Sequence, residues 1–163
     1  MTTDVDGAID RTVQRHGWHW RDAQAAAAAI AERTADRRSL LLLTRLHLAS
    51  ETVLERLAGL HGGSSVYRGL GRLGDDGLVA ALSPSLRAGH EPRLWYLTDL
   101  GLAVVALDQG VEPEPLARRG RLRGGDLLGL LPGLPQHLAG HELLGALAAS
   151  RPGSPNLLAW ERP

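Results

Sequence analysis

The chain has 163 residues, 44% of them hydrophobic, with 18 basic and 18 acidic side chains and a formal net charge of zero. That length allows one compact domain with appendages or two very small ones, with enough apolar material for a core. Neutrality removes the basic surplus of a purely electrostatic nucleic-acid binder, and the absence of cysteine excludes disulfides and thiolate metal sites.

Residues 1–21 are polar and irregular and end in Trp18-His19-Trp20. The Ala-rich run closed by Ile30 predicts a helix over residues 22–33, its small-residued face suited to close packing on another helix, in the same chain or a partner. Residues 37–48 hold Leu40, Leu41, Leu42, Leu43, Leu46 and Leu48, so a helix here is apolar on most sides and should be central. Ser50 is a good N-cap for the next helix, in which Val53, Leu54, Leu57 and Leu60 recur at helical spacing, with Gly62-Gly63 as its stop. Ser64 or Ser65 then caps a third helix with Val66, Leu70 and Leu73 on one face, ended by Asp75-Asp76-Gly77. Residues 78–82 and 93–97 read as two strands of an antiparallel hairpin around a loop over 83–92. Thr98 caps a helix running to Leu107.

Beyond it, Pro and Glu mark a linker, followed by the basic, glycine-rich stretch from Arg118 to Gly125. Residues 127–134 are apolar but broken by Gly129, Pro132 and Gly133. Residues 141–149 read as an amphipathic helix, and Leu157-Leu158-Ala159-Trp160 as a strand. The domain plan is an arm and Ala-rich helix (1–35), a winged helix-turn-helix (36–107), a linker (108–125) and a helical extension (126–163). The fold class is mainly α with a small antiparallel β-hairpin: three helices and a hairpin, the winged-helix order.

Charge is unevenly spread. Residues 37–93 hold eight Arg against five acids, whereas residues 1–36 hold six acids against four Arg. The segment expected to bind is therefore modestly basic beside an acidic N-terminus.

Three blocks in this region carry a family likeness: Tyr67-Arg68-Gly69-Leu70-Gly71-Arg72-Leu73, then Asp76-Gly77-Leu78-Val79, then Tyr96-Leu97-Thr98-Asp99-Leu100-Gly101. With them the stretch 53–107 resembles the winged helix of the replication-relaxation family of bacterial plasmid and mobile-element proteins. The last block also resembles the hairpin-to-helix junction of other bacterial winged-helix regulators. A weaker resemblance continues through His137-Leu138-Ala139-Gly140-His141-Glu142-Leu143 and Leu158-Ala159-Trp160-Glu161. The resemblance implies a bacterial DNA-binding protein of transcription regulation or plasmid replication. It also implies, in family members that continue, a nuclease-like domain with a Pro-Asp pair, a block that residues 108–163 do not contain.

In helix-turn-helix docking the second helix of the motif enters the major groove, N-terminal residues first. Here those are Ser64, Ser65, Tyr67 and Arg68, with Arg72 one turn on. Arg suits bidentate contact with guanine, and hydroxyls suit phosphate. Arg87, His90 and Arg93 flank the hairpin loop as a wing for a minor groove or phosphates. Gly69 to Gly74 formally matches G-x-G-x-x-G, but a dinucleotide site needs a strand before it, so composition or a close backbone approach is the better reading. His137 and His141 stand i, i+4 without a third ligand, so packing is favoured over metal binding.

No nucleophile–base arrangement is legible, so the expectation is a non-enzymatic binder of double-stranded DNA without cofactor or metal. Its expected partner is a second copy, through the helices at 22–33 and 141–149, or another protein. No apolar run of about 18 residues occurs and the N-terminus lacks a secretory pattern, so membrane spanning is not expected and a cytoplasmic location is. The alternatives are a protein-interaction adaptor in a larger complex and the N-terminal part of a nuclease-like protein.

Overall fold

The computed structural model describes residues 20–59, 64–83, 93–122 and 124–150. Over these the chain is mainly helical, with a small three-stranded antiparallel sheet. Helices α1 (Trp20–Ile30) and α2 (Thr34–Leu46) precede strand β1 (Ala49–Ser50), α3 (Glu51–Ala58) and α4 (Ser64–Asp75). Strands β2 (Val79–Leu82) and β3 (Leu94–Leu97) lead into α5 (Asp99–Gln109), α6 (Pro113–Gly120), α7 (Gly124–Leu130), a 3-10 turn (Leu131–Gly133) and α8 (Leu134–Ser150). No helix among the described residues is long and apolar enough to cross a membrane.

The expected hairpin is present, with Val79 opposite Leu97 and Leu82 opposite Leu94. It gains a third strand that pattern reading missed. Helix α2 stops at His47, whose φ of 67° and ψ of −55° form a γ-turn in which Leu48 N donates to Leu46 O at 2.8 Å. Such a conformation costs a non-glycine residue about 1–3 kcal/mol. Holding it in place, the His47 ring is buried and its Nε2 donates to Gly120 O at the end of α6. The turn delivers Ala49 opposite Trp95 and Ser50 opposite Leu94, so the sheet order is β1-β3-β2. Ser50 also performs the expected capping, accepting from Val53 N at 3.3 Å. Helix α3 ends earlier than expected, at Gly59 with φ 66°. Gly62 and Gly63 lie outside the described residues, as do Trp18, His19 and Leu157 to Trp160.

Side chains alternate across a strand, and both faces of this sheet are covered. Val79, Trp95 and Leu97 join the main core with Leu40, Leu43, Leu54, Leu70 and Leu73. Leu82, Leu94 and Tyr96 face the other way, into a second cluster with Leu48, Leu127, Leu134 and Leu138. The C-terminal segment thus forms a lid over the sheet. It also packs along α3, where Gly145 lets α8 approach: a Cβ there would be 3.2 Å from Arg56 Cδ.

Two expectations are corrected here. The stretch read as a linker contains α6, because Pro113 sits at a first-turn position where its fixed φ starts a helix instead of breaking one. The C-terminal helix starts at Leu134, about two turns before His141. The Ala-rich helix α1 finds its partner within the chain, packing along α5 with Ala23 and Ile30 buried.

The hairpin-to-helix junction is the tightest point. Thr98 Oγ1 donates to Gly77 O at 2.6 Å and accepts from Gly101 N at 3.1 Å, while Thr98 N donates to Leu78 O at 3.1 Å. This draws the first turn of α5 onto the backbone entering β2, and a Cβ on Gly101 would lie 1.9 Å from Leu78 O. Backbone on both sides leaves no cheap relief. Gly101→Ala is expected to destabilise the fold by at least about 2 kcal/mol in urea titration, and a change under 0.5 kcal/mol, an ordinary surface value, would contradict this packing.

Candidate nucleic-acid interface

Helix α4 has two faces. Val66, Gly69, Leu70 and Leu73 are buried, seated against α2, α3 and β2. Tyr67, Arg68, Gly71, Arg72 and Asp75 are exposed on the opposite side, and Tyr67 retains 54% of its accessible surface. The spacing i, i+1, i+4, i+5, i+8 makes them one stripe along the helix. The sequence-expected residues Tyr67, Arg68 and Arg72 are therefore brought together. Ser64 and Ser65 open the helix, but their side chains lie outside the described residues.

Beneath this stripe lies a carboxylate that pattern reading did not single out. The Asp36 side chain, on the first turn of α2, is only 4% exposed. Its Oδ1 and Oδ2 accept from Arg72 Nη2 at 3.3 and 3.4 Å. Arg33 lies 3.7 Å from Asp36 and donates to Asp76 at 2.9 Å. A guanidinium has five donors, and Arg72 bonds Asp36 through one nitrogen while its side chain stays 54% exposed. Arg72 is thus tethered at one edge with most of its surface still facing solvent. Its tether is a buried acid, which sets direction more than it adds stability.

The glycines of α4 now separate by cause. A Cβ on Gly69 would lie 2.6 Å from Asp36 Oδ1, so glycine makes room for the buried carboxylate. A Cβ on Gly74 would touch the Trp95 ring at 3.7 Å, an ordinary contact. At Gly71 it would meet nothing within 4 Å. The formal G-x-G-x-x-G pattern therefore sits inside a helix whose preceding element among the described residues is another helix, and at Gly69 it is the Asp36 side chain that comes close to the backbone.

At the base of the hairpin, the Arg93 guanidinium lies over the Trp95 ring, 4.4 Å from its centroid. Trp95 Nε1 in turn donates to Glu51 Oε1 at 3.1 Å, tying β3 to the first turn of α3. Arg93 is exposed and held on the same ring that Gly74 of α4 packs near. Arg87 and His90, the other wing candidates, lie outside the described residues. His137 and His141 are both on α8, half-buried and buried respectively, and no cluster of three metal-ligating side chains occurs among the described residues.

Asp36 and Gly69 give a test by double substitution. Gly69→Ala alone is expected to lower stability by about 1–3 kcal/mol, since it forces the carboxylate out of its seat. With Asp36→Ala already present, the same change is expected to raise stability by up to about 1 kcal/mol, the helix-propensity gain of alanine over glycine. Equal effects in both backgrounds, read by denaturant unfolding, would contradict the steric account.

No protein-family model matches the chain, and no curated protein or solved structure matches it either.

Proposed function

We propose that residues 36–107 form a winged helix-turn-helix and that the protein binds double-stranded DNA, α4 entering the major groove and the hairpin acting as the wing. The single observation that carries this is the stripe of Tyr67, Arg68, Gly71, Arg72 and Asp75 on α4, facing solvent while the other side of the helix is built into the core. Three further features support it. The order α2-β1-α3-α4-β2-β3 with sheet order β1-β3-β2 agrees with the arrangement expected of a winged helix. Arg72 is aimed by Asp36, and a planar guanidinium with fixed direction suits the bidentate reading of guanine. Gly71 leaves the centre of the stripe without a side chain, so a groove wall can come close. The resemblance of the Tyr67 and Tyr96 blocks to the replication-relaxation family agrees with this reading, in which the protein would serve transcription regulation or plasmid and mobile-element replication.

Dimerisation belongs to the same reading. Of the two helices expected to mediate it, α1 packs on α5, while α8 leaves Leu143 and Leu147 62% and 50% exposed, one turn apart. That pair, together with the zero net charge, also favours the second reading, a protein-interaction adaptor in a larger complex. The two separate on DNA. Wild type is expected to bind duplex DNA with an affinity that falls as salt rises. Arg68→Ala and Arg72→Ala are each expected to weaken binding about tenfold, a loss of roughly 1.4 kcal/mol, through base or phosphate contact. Loss of a phosphate contact also lowers the slope of log affinity on log salt by about 1. Unchanged affinity in both variants removes α4 from the mechanism. No salt-sensitive DNA binding by wild type, with co-purification of a defined protein, selects the adaptor.

A further inference from the structure

Away from the α4 stripe, the surface where α1, α2 and α5 meet is hollowed in two parts. One is an apolar recess of about 130 Å³ lined by Ala27, Ile30, Leu40, Val104 and Val105. The other is a wider concavity of about 310 Å³ lined by Thr34, Arg37, Arg38, Leu41, Arg45 and Asp108. Arg37, Leu41 and Asp108 line both, so the two recesses adjoin. Small-molecule sites combine an apolar body with a few convergent polar groups, in clefts of roughly 300–1,000 Å³.

The wider recess gathers the charged side chains over the apolar stems that line it. Arg38, Leu41 and Arg45 recur at i, i+3 and i+7 along one side of α2, with Arg37 beside them. Among its lining residues, three arginines face a single acid, Asp108. Two of these guanidiniums are also fixed in place. Arg38 Nη1 donates to Ala58 O at 2.7 Å, and Arg37 bonds both Asp108 and Ala31 O. A guanidinium has five donors, so these bonds orient Arg37 and Arg38 without exhausting them. Preordered arginines lose little side-chain entropy when an anion arrives.

The apolar half owes its space to small side chains. Helix α1 packs on α5 through alanines, and Ala27 is only half-buried beside Ile30 and Val104. A hydrocarbon group of a few carbons would complete the packing there.

We propose that this groove binds a small amphiphilic anion, its carboxylate or phosphate held by Arg37, Arg38 and Arg45 and its apolar body seated beside Ala27, Ile30 and Val104. The site stands independently of DNA binding by α4, because no lining residue belongs to that helix.

The experiment is calorimetric titration of the full chain with hexanoate, monohexyl phosphate, inorganic phosphate and hexanol. One of the two hexyl anions is expected to bind saturably and at least tenfold more tightly than both inorganic phosphate and hexanol; which of the two it is identifies the head group. Arg45→Ala is expected to weaken that anion at least fivefold. Ala27→Leu, which fills the apolar recess, is expected to weaken the hexyl anion and leave inorganic phosphate unaffected. Circular dichroism identifies any variant that fails to fold, and the remaining variants with the four-ligand comparison then decide. The proposal is overturned if neither hexyl anion binds saturably. It is also overturned if inorganic phosphate or hexanol binds as tightly, or if folded Arg45→Ala and Ala27→Leu bind as wild type does.

Discussion

Asp36 brings a carboxylate almost out of water at the junction of two helices, and much of the candidate interface is arranged around it. A buried acid is tolerated when it is paired, and here Arg72 from α4 and Arg33 from the turn before α2 supply the charge. The pairing needs α4 to pass close over α2, which only a glycine at 69 permits. The same pairing tethers one edge of the Arg72 guanidinium while more than half of its side chain stays exposed, and Arg33 and Asp76 tie the end of α4 back to the end of the α1–α2 turn. One side chain thus bears on the spacing of two helices and on the tether of an arginine.

The sheet imposes the second constraint. A three-stranded sheet this small exposes two faces, and each needs cover. The main core covers one, and α7 with α8 covers the other through Leu127, Leu134 and Leu138. That lid continues along α3, fastened at Arg56 and Glu142 by a 2.8 Å ion pair with both partners largely exposed, which adds little stability by itself. Its consequence is positional. The lid occupies α3 and the outer sheet face and leaves the α4 stripe open, so the exposed surface of the helix pair is narrowed to one helix.

Local chemistry was legible in the sequence, and distant pairing was not. The caps at Ser50 and Thr98, the hairpin at Leu78 to Leu97 and the exposed grouping of Tyr67, Arg68 and Arg72 follow from residue type and period, and the structure contains each of them. Strand β1 escaped because two residues carry no period, and because the turn that creates it rests on His47, held in an unfavourable conformation by Gly120 far along the chain. Helix α6 escaped because a proline signals a linker and a helix start equally well. The role of Asp36 depends on Arg72, 36 positions away, and nothing in either neighbourhood announces the pair. The glycines of α4 read as helix breakers until Asp36 gives Gly69 its reason.

In the proposed function, the open stripe of α4 is where duplex DNA would be met. Amide chemical-shift mapping of the ¹⁵N-labelled chain, titrated with a short duplex at low salt, tests it most directly. The largest shifts are expected at residues 64–75 and around Arg93, with α1 and the exposed turn of α8 at Leu143 and Leu147 little changed. Shifts concentrated on α8, or none at DNA concentrations well above those of ordinary non-specific binding, would contradict it.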